Sequence, residues 1–153
     1  MTVLLVAVMT ILAALSAPLG TQISLAPVPY SLSVPSEVAE HLSTSDLAEP
    51  FAAEVRAAGA TAAKTILYRP QSGEPTILMT VYYFPADKFD LTKNPDEPPA
   101  FGKEIIRTST HVLSVAGPHD TIYDPDTPDG RNVIAMQKIL YEPGTYEQQQ
   151  EVD

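Results

Sequence analysis

Apolar and polar positions change rhythm several times along this chain. Val3 to Ala17 is an apolar run broken only by Thr10 and Ser16, and no side chain before Glu37 is charged. About 15 apolar residues are too few to cross a hydrocarbon core of roughly 30 Å comfortably, but they match the apolar centre of a secretory signal. The expectation is a signal peptide over 1–17, with small residues at Ala14, Ser16 and Ala17 for cleavage. The alternatives are an uncleaved N-terminal anchor and a buried core helix stopped at Pro18-Leu19-Gly20. From Thr21 to Val34 apolar and polar residues alternate, with Pro27 and Pro29 as interruptions, so an extended leader over 18–29 feeds an edge strand around Tyr30 to Val34. Ser36 to Leu42 reads as a short helix ended by Ser43-Thr44-Ser45. In the next segment Asp46 and Glu49 have capping-box spacing. Leu47, Phe51 and Val55 form one stripe, and Gly59 supplies the stop.

Strand rhythm then takes over. Lys64 to Arg69 and Thr76 to Phe84 are rich in β-formers and are joined by the turn Pro70-Gln71-Ser72-Gly73-Glu74-Pro75, which predicts a hairpin. The second arm is apolar almost without break, as expected of a central strand covered on both faces. Pro85 to Phe89 reads as a helical turn, and Asn94 to Gly102, with three prolines and two acids, as a loop. Lys103 to Arg107 and His111 to Ala116 add two strands around Thr108-Ser109-Thr110. A final helix starts with Thr127 as N-cap and Pro128 at its first position, carries Val133, Met136 and Leu140 on one stripe, and is closed by Gly144. The pattern is α+β: an antiparallel sheet of four to five strands with two or three packed helices. A single domain over 30–144 is followed by a polar tail over 145–153.

Composition changes this picture in three ways. Nineteen acidic against nine basic side chains give a net charge of −10, which opposes nucleic acid and anionic membrane surfaces. A membrane is expected to be met only through an uncleaved N-terminus. With no cysteine there is no disulfide, thiolate metal site or acylatable thiol, so packing alone must hold the fold. The fifteen prolines are scattered singly and read as loop and cap residues.

Candidate chemistry concentrates in one segment. His119, Asp120, Asp124, Asp126 and Asp129 place four carboxylates and an imidazole between 119 and 129, and oxygen-rich loops of this kind bind calcium and other hard divalent cations. Counting Asp124 as the first position of a calcium loop puts Pro128, Gly130 and Ala135 where two ligand positions and the bidentate glutamate should fall, so turn and cap roles are the favoured reading. His119 with Asp120 could also orient an imidazole toward Ser109, Thr110 or Ser114, the pattern of a small hydrolase, although no nucleophile-elbow, zinc-helix or phosphate-loop motif accompanies it. Tyr68, Tyr82, Tyr83 and Phe84 could line a groove; at strand spacing they read as core. The segment Pro95 to Phe101 is a candidate partner-binding loop, with Pro98, Phe101 and Tyr123 as contact residues.

Thr80-Val81-Tyr82-Tyr83-Phe84-Pro85-Ala86-Asp87, then Pro98 to Lys103, then Tyr123-Asp124-Pro125 through Lys138 resemble, in their order, small secreted or lipoprotein domains of bacteria with a Mog1/PsbP-like α-β-α sandwich. The resemblance covers under half of the chain. It implies an extracytoplasmic accessory or interaction domain, acting on an envelope or extracellular protein, and supplies no catalytic residue. The functional expectation is an exported, acidic binding module.

Overall fold

A computed structural model describes residues 20–118 and 122–149, and the expected signal segment over 1–17 lies outside them. The fold is α+β, built on two antiparallel sheets. The larger sheet has five strands in the order β3-β4-β5-β7-β6: β3 (Leu42–Ser45), β4 (Ala62–Tyr68), β5 (Thr76–Pro85), β6 (Lys103–Arg107) and β7 (His111–Ala116). The smaller has the order β1-β2-β8, formed by β1 (Gly20–Ser24), β2 (Tyr30–Pro35) and β8 (Tyr146–Gln148). The helices are α1 (Ser36–Ala39), α2 (Phe51–Ala57), α3 (Ala86–Leu91) and α4 (Pro128–Leu140), with a 3-10 turn at Pro143–Thr145.

The hairpin expected between Lys64 and Phe84 is β4–β5, in register from Ala62 opposite Tyr83 to Tyr68 opposite Thr76, with an irregularity between Ile66 and Leu67. β5 is the middle strand of the large sheet, and its unbroken apolar run has the expected cause. Met79, Val81 and Tyr83 face the main core with Leu113 and Val115, while Tyr82 and Phe84 face a second core with Val112. On the first face lie the smaller sheet, through Leu32, Val34 and Tyr146, and α4, through Val133, Met136 and Leu140. On the second lie Val55 of α2 and Phe89 of α3. Each fully buried side chain of this size contributes about 1.5–3 kcal/mol, so the three residues on the α4 stripe outweigh any difference in helix propensity along it. Its start is as the sequence predicts: the Thr127 hydroxyl accepts from the Gly130 amide at 3.1 Å and donates to the Asp124 carbonyl at 2.6 Å.

Several expectations change. Tyr30 to Val34 is not an edge: β2 sits between β1 and β8, because Pro27 and Pro29 lie in the turn before it and Pro35 ends it, leaving its ladder intact. The leader over 18–29 contains β1, paired from Gly20 opposite Pro35 to Ser24 opposite Ser31. Helix α1 stops at Ala39, and Leu42 to Ser45 is strand β3, paired with β4, where β-branched and short polar residues suit a half-buried edge. Asp46 does not cap α2; it holds Lys64 at 2.8 Å, and the helix begins after Pro50 with the Glu49 carboxylate accepting from the Ala53 amide at 3.1 Å. Helix α4 ends at Leu140, and Gly144 belongs to the 3-10 turn beyond it. The supposed polar tail opens with β8, whose Tyr146 is buried and donates through its hydroxyl to the Leu140 carbonyl at 2.5 Å.

Candidate functional site

The turn between α3 and β6 frames a cleft. Helix α3 follows Pro85 and turns Phe89 into the second core, where its ring lies 5.6 Å from that of Phe84. At the far end of the loop, Phe101 packs 5.4 Å from Tyr82 and 5.3 Å from Phe84. The buried Ser114 hydroxyl donates to the Phe101 carbonyl at 2.7 Å, and Gly102 follows at φ +77°, a conformation open chiefly to glycine. A Cβ at Gly102 would stand 2.2 Å from the Val115 carbonyl oxygen, so the backbone crosses β7 where no side chain fits.

Between these anchors lies a cleft of about 500 Å³ with Phe89, Pro95, Pro99 and Phe101 as its apolar walls. That volume and that lining, apolar walls with a few placed polar groups, are typical of small-ligand sites. Lys93, Lys103, Glu97 and Glu104 add charge of both signs. Lys93 Nζ sits 5.2 Å from the centre of the Phe89 ring, 3.5 Å from Asp90 and 3.8 Å from Glu104. Arg107 closes the network with 2.7 Å contacts to both carboxylates. Its hydrogen bonds to Asp90 and then Glu104 hold its pKa above the ordinary arginine range, and the same pairing lowers that of Asp90. Leu91, the last residue of α3 and next in sequence to the cleft-lining Thr92, is 79% exposed.

Of the predicted contact residues, Phe101 lines the cleft, Pro98 is exposed in the same loop but does not, and Tyr123 lies elsewhere. The Tyr123 hydroxyl is 3.2 Å from that of Thr76, and its ring is 5.7 Å from that of Tyr68. Phe89, Lys93, Lys103 and Glu104 were not singled out in the sequence. The short Pro85-Ala86-Asp87-Lys88-Phe89 segment was the available signal, because a helical turn after a buried strand must aim one apolar residue back at the sheet.

The acidic segment is only partly described. His119 and Asp120 lie outside the described residues. Asp124 accepts from the Asp126 amide at 2.9 Å, an Asx turn ahead of the helix. The Asp129 carboxylate accepts from the buried Tyr68 hydroxyl at 2.7 Å and from the Gln71 amide at 3.2 Å, tying the start of α4 to the β4–β5 turn. Burial first, and then that hydrogen bond, raise the Tyr68 pKa. Among the described residues no three His, Asp or Glu side chains gather as a metal site. Of the nucleophiles considered, Ser114 is committed to Phe101, and Thr110 lies 3.2 Å from His111 Nδ1; Ser109 is exposed in the β6–β7 turn. Tyr68, Tyr82 and Phe84 are core residues. No known protein family, curated protein or solved structure matches the chain.

Proposed function

We propose that this protein is an exported acidic binding module that takes an apolar segment of an envelope or extracellular partner into the cleft between α3, the 94–102 loop and β6. The observation that carries the reading is the pairing of an apolar opening with a fixed floor. Phe89 and Phe101 are held by the second core, and Ser114 and Gly102 lock the loop end, so little order remains to be gained on binding. The mixed charge at the rim favours register and selectivity over raw attraction. The apolar run from Val3 to Ala17 supports export. Helices on both faces of the five-stranded sheet support kinship with Mog1/PsbP-like accessory domains.

A photo-cross-linking residue at Leu91 or Pro95, compared with one at Ile134 on α4, tests the site in the native envelope. Cross-links to one partner from the first two positions, lost on Pro99→Glu, are expected. Equal yield from Ile134, or indifference to Pro99→Glu, overturns the assignment. The mass of the same purified protein reports whether residues 1–17 have been removed.

A further inference from the structure

The two sheets meet at a buried polar contact that the binding reading does not use. His111 shares a face of β7 with Leu113 and Val115, and its ring centre lies 4.8 Å from that of Tyr83 on β5. From the smaller sheet Tyr30 reaches across, with its Oη 2.7 Å from His111 Nε2. Only 2% of Tyr30 and 5% of His111 are exposed. On the other side of the ring, Nδ1 is 3.1 Å from Thr108 Oγ1 and 3.2 Å from Thr110 Oγ1.

The hydrogen-bond inventory assigns the ring proton. Thr108 Oγ1 already accepts from the Thr110 amide at 3.2 Å and the His111 amide at 3.1 Å, which uses both acceptor sites of a hydroxyl. Its own proton must therefore be donated, and Nδ1 at 3.1 Å is nearer than Thr110 Oγ1 at 3.3 Å or the His111 carbonyl at 3.4 Å. With Nδ1 as the nearest acceptor of that proton, the arrangement favours the neutral tautomer that carries its hydrogen on Nε2, facing Tyr30. A second proton would enter at Nδ1 against a filled oxygen, leaving only Thr110 to receive it, on a ring that is itself buried.

We infer that His111 is an acid-sensitive clasp between the two sheets, closed while the imidazole is neutral and loosened when it must take up a proton. The groups that face the ring are Tyr30 from β2, Tyr83 from β5, and Thr108 and Thr110 from the β6–β7 turn, all uncharged at neutral pH. The neighbouring cation, Arg107, is engaged by Asp90 and Glu104, and α3 with its charges packs on the opposite face of the sheet. Burial accordingly lowers the His111 pKa below its ordinary 6.5. An opened seam, with a solvated histidine, binds the proton first as pH falls through that value. The closed seam is thus fully favoured above pH 6.5 and loses ground by up to tenfold per pH unit below it, until His111 titrates in the closed form. The clasp lies on the face opposite the cleft and stands apart from the binding proposal.

Nitrogen-detected NMR of the histidine rings between pH 8 and 4.5, with amide exchange on the same protein, tests the clasp. The expected record is an Nε2–H tautomer at His111 and a midpoint below 6.5. From pH 7.5 to 5.5, corrected protection at Leu32 and Val34 should also fall up to tenfold relative to Ile66 and Val81. His111→Gln should remove that pH dependence. Tyr30→Phe should lower protection at Leu32 already at pH 7.5, and it decides the matter if the glutamine variant does not fold. An Nδ1–H tautomer, a midpoint at or above 6.5, an undiminished fall in His111→Gln, or unchanged protection in Tyr30→Phe overturns the clasp.

Discussion

A Cβ on Gly130 would lie 1.9 Å from the Asp124 carbonyl oxygen and 2.6 Å from its carbon. Helix propensity alone favours alanine over glycine by about 1 kcal/mol in the first turn of α4. Forcing extra atoms into a packed site costs about 1–3 kcal/mol, and the obstacle here is backbone rather than a movable side chain. Gly130→Ala is therefore expected to lower stability by up to about 2 kcal/mol, read as an earlier urea midpoint at unchanged slope; a later midpoint would mean that the 124–127 turn yields. Asp129, one residue earlier, separates the structural and metal readings of the acidic segment. Its carboxylate accepts from Tyr68 and Gln71, and hydrogen bonds to a charged acceptor contribute about 1.5–3 kcal/mol each. Asp129→Ala should lose at least about 1.5 kcal/mol by urea unfolding, equally in millimolar calcium and in chelator. A wild-type midpoint that rises with calcium while the variant's does not would assign Asp129 to a cation instead.

Strand β8 has only three residues, yet it completes the small sheet. Tyr146 opposes Leu32, buries its ring in the main core and returns its hydroxyl to the end of α4, while Gln149 bonds to the Pro29 carbonyl at 2.9 Å and to the Ser31 hydroxyl. Removing a buried aromatic ring costs about 3–5 kcal/mol, a large fraction of the roughly 5–15 kcal/mol that holds a domain folded. Tyr146→Ala should therefore unfold at markedly lower urea, and Tyr146→Phe, which deletes only the hydroxyl, should lose about 1 kcal/mol. An alanine midpoint close to wild type would show that β8 is dispensable. This strand also marks where sequence reading fails. A run of Tyr-Glu-Gln has neither length nor alternation enough to announce a strand, and its pairing partner, β2, lies more than a hundred residues earlier. Prolines misled in the same way. Pro27, Pro29 and Pro35 argue against a central strand only if they fall within its ladder, and here they sit in its turn and at its end. Elements whose signal is local were legible: the β4–β5 hairpin, the doubly buried β5, and α4 with its Thr127 cap. The Asn94 to Gly102 loop, one wall of the cleft, was legible as a loop with Phe101 as its large apolar residue. Its other wall was not, because Phe89 and Lys93 meet Lys103 and Glu104 only once α3 and β6 are placed against one sheet.

Across the whole molecule, charge poses two opposed demands. A net charge of −10 makes distant carboxylates repel one another, which destabilises the compact state. Against this stand the contacts of Arg56 with Glu49, Lys64 with Asp46, and the Lys93–Arg107 network with Asp90 and Glu104, all between 2.7 and 3.8 Å. These partners are mostly solvent-exposed, and exposed pairs contribute little. Salt separates the terms by distance. The screening length falls from about 30 Å at 0.01 M to about 10 Å at 0.1 M, shorter than most carboxylate separations across the molecule but longer than any ion-pair contact. Repulsion is thus screened before the close pairs are. Raising sodium chloride from 0.01 to 0.15 M at pH 7.5, where the His111 clasp is closed, should therefore raise the melting temperature. Arg107→Gln, which makes the net charge more negative and breaks the network, should melt lower than wild type and gain more from the same salt step. A midpoint that falls with salt in wild type but not in Arg107→Gln would reverse the ranking and make the rim network the dominant electrostatic support of the cleft.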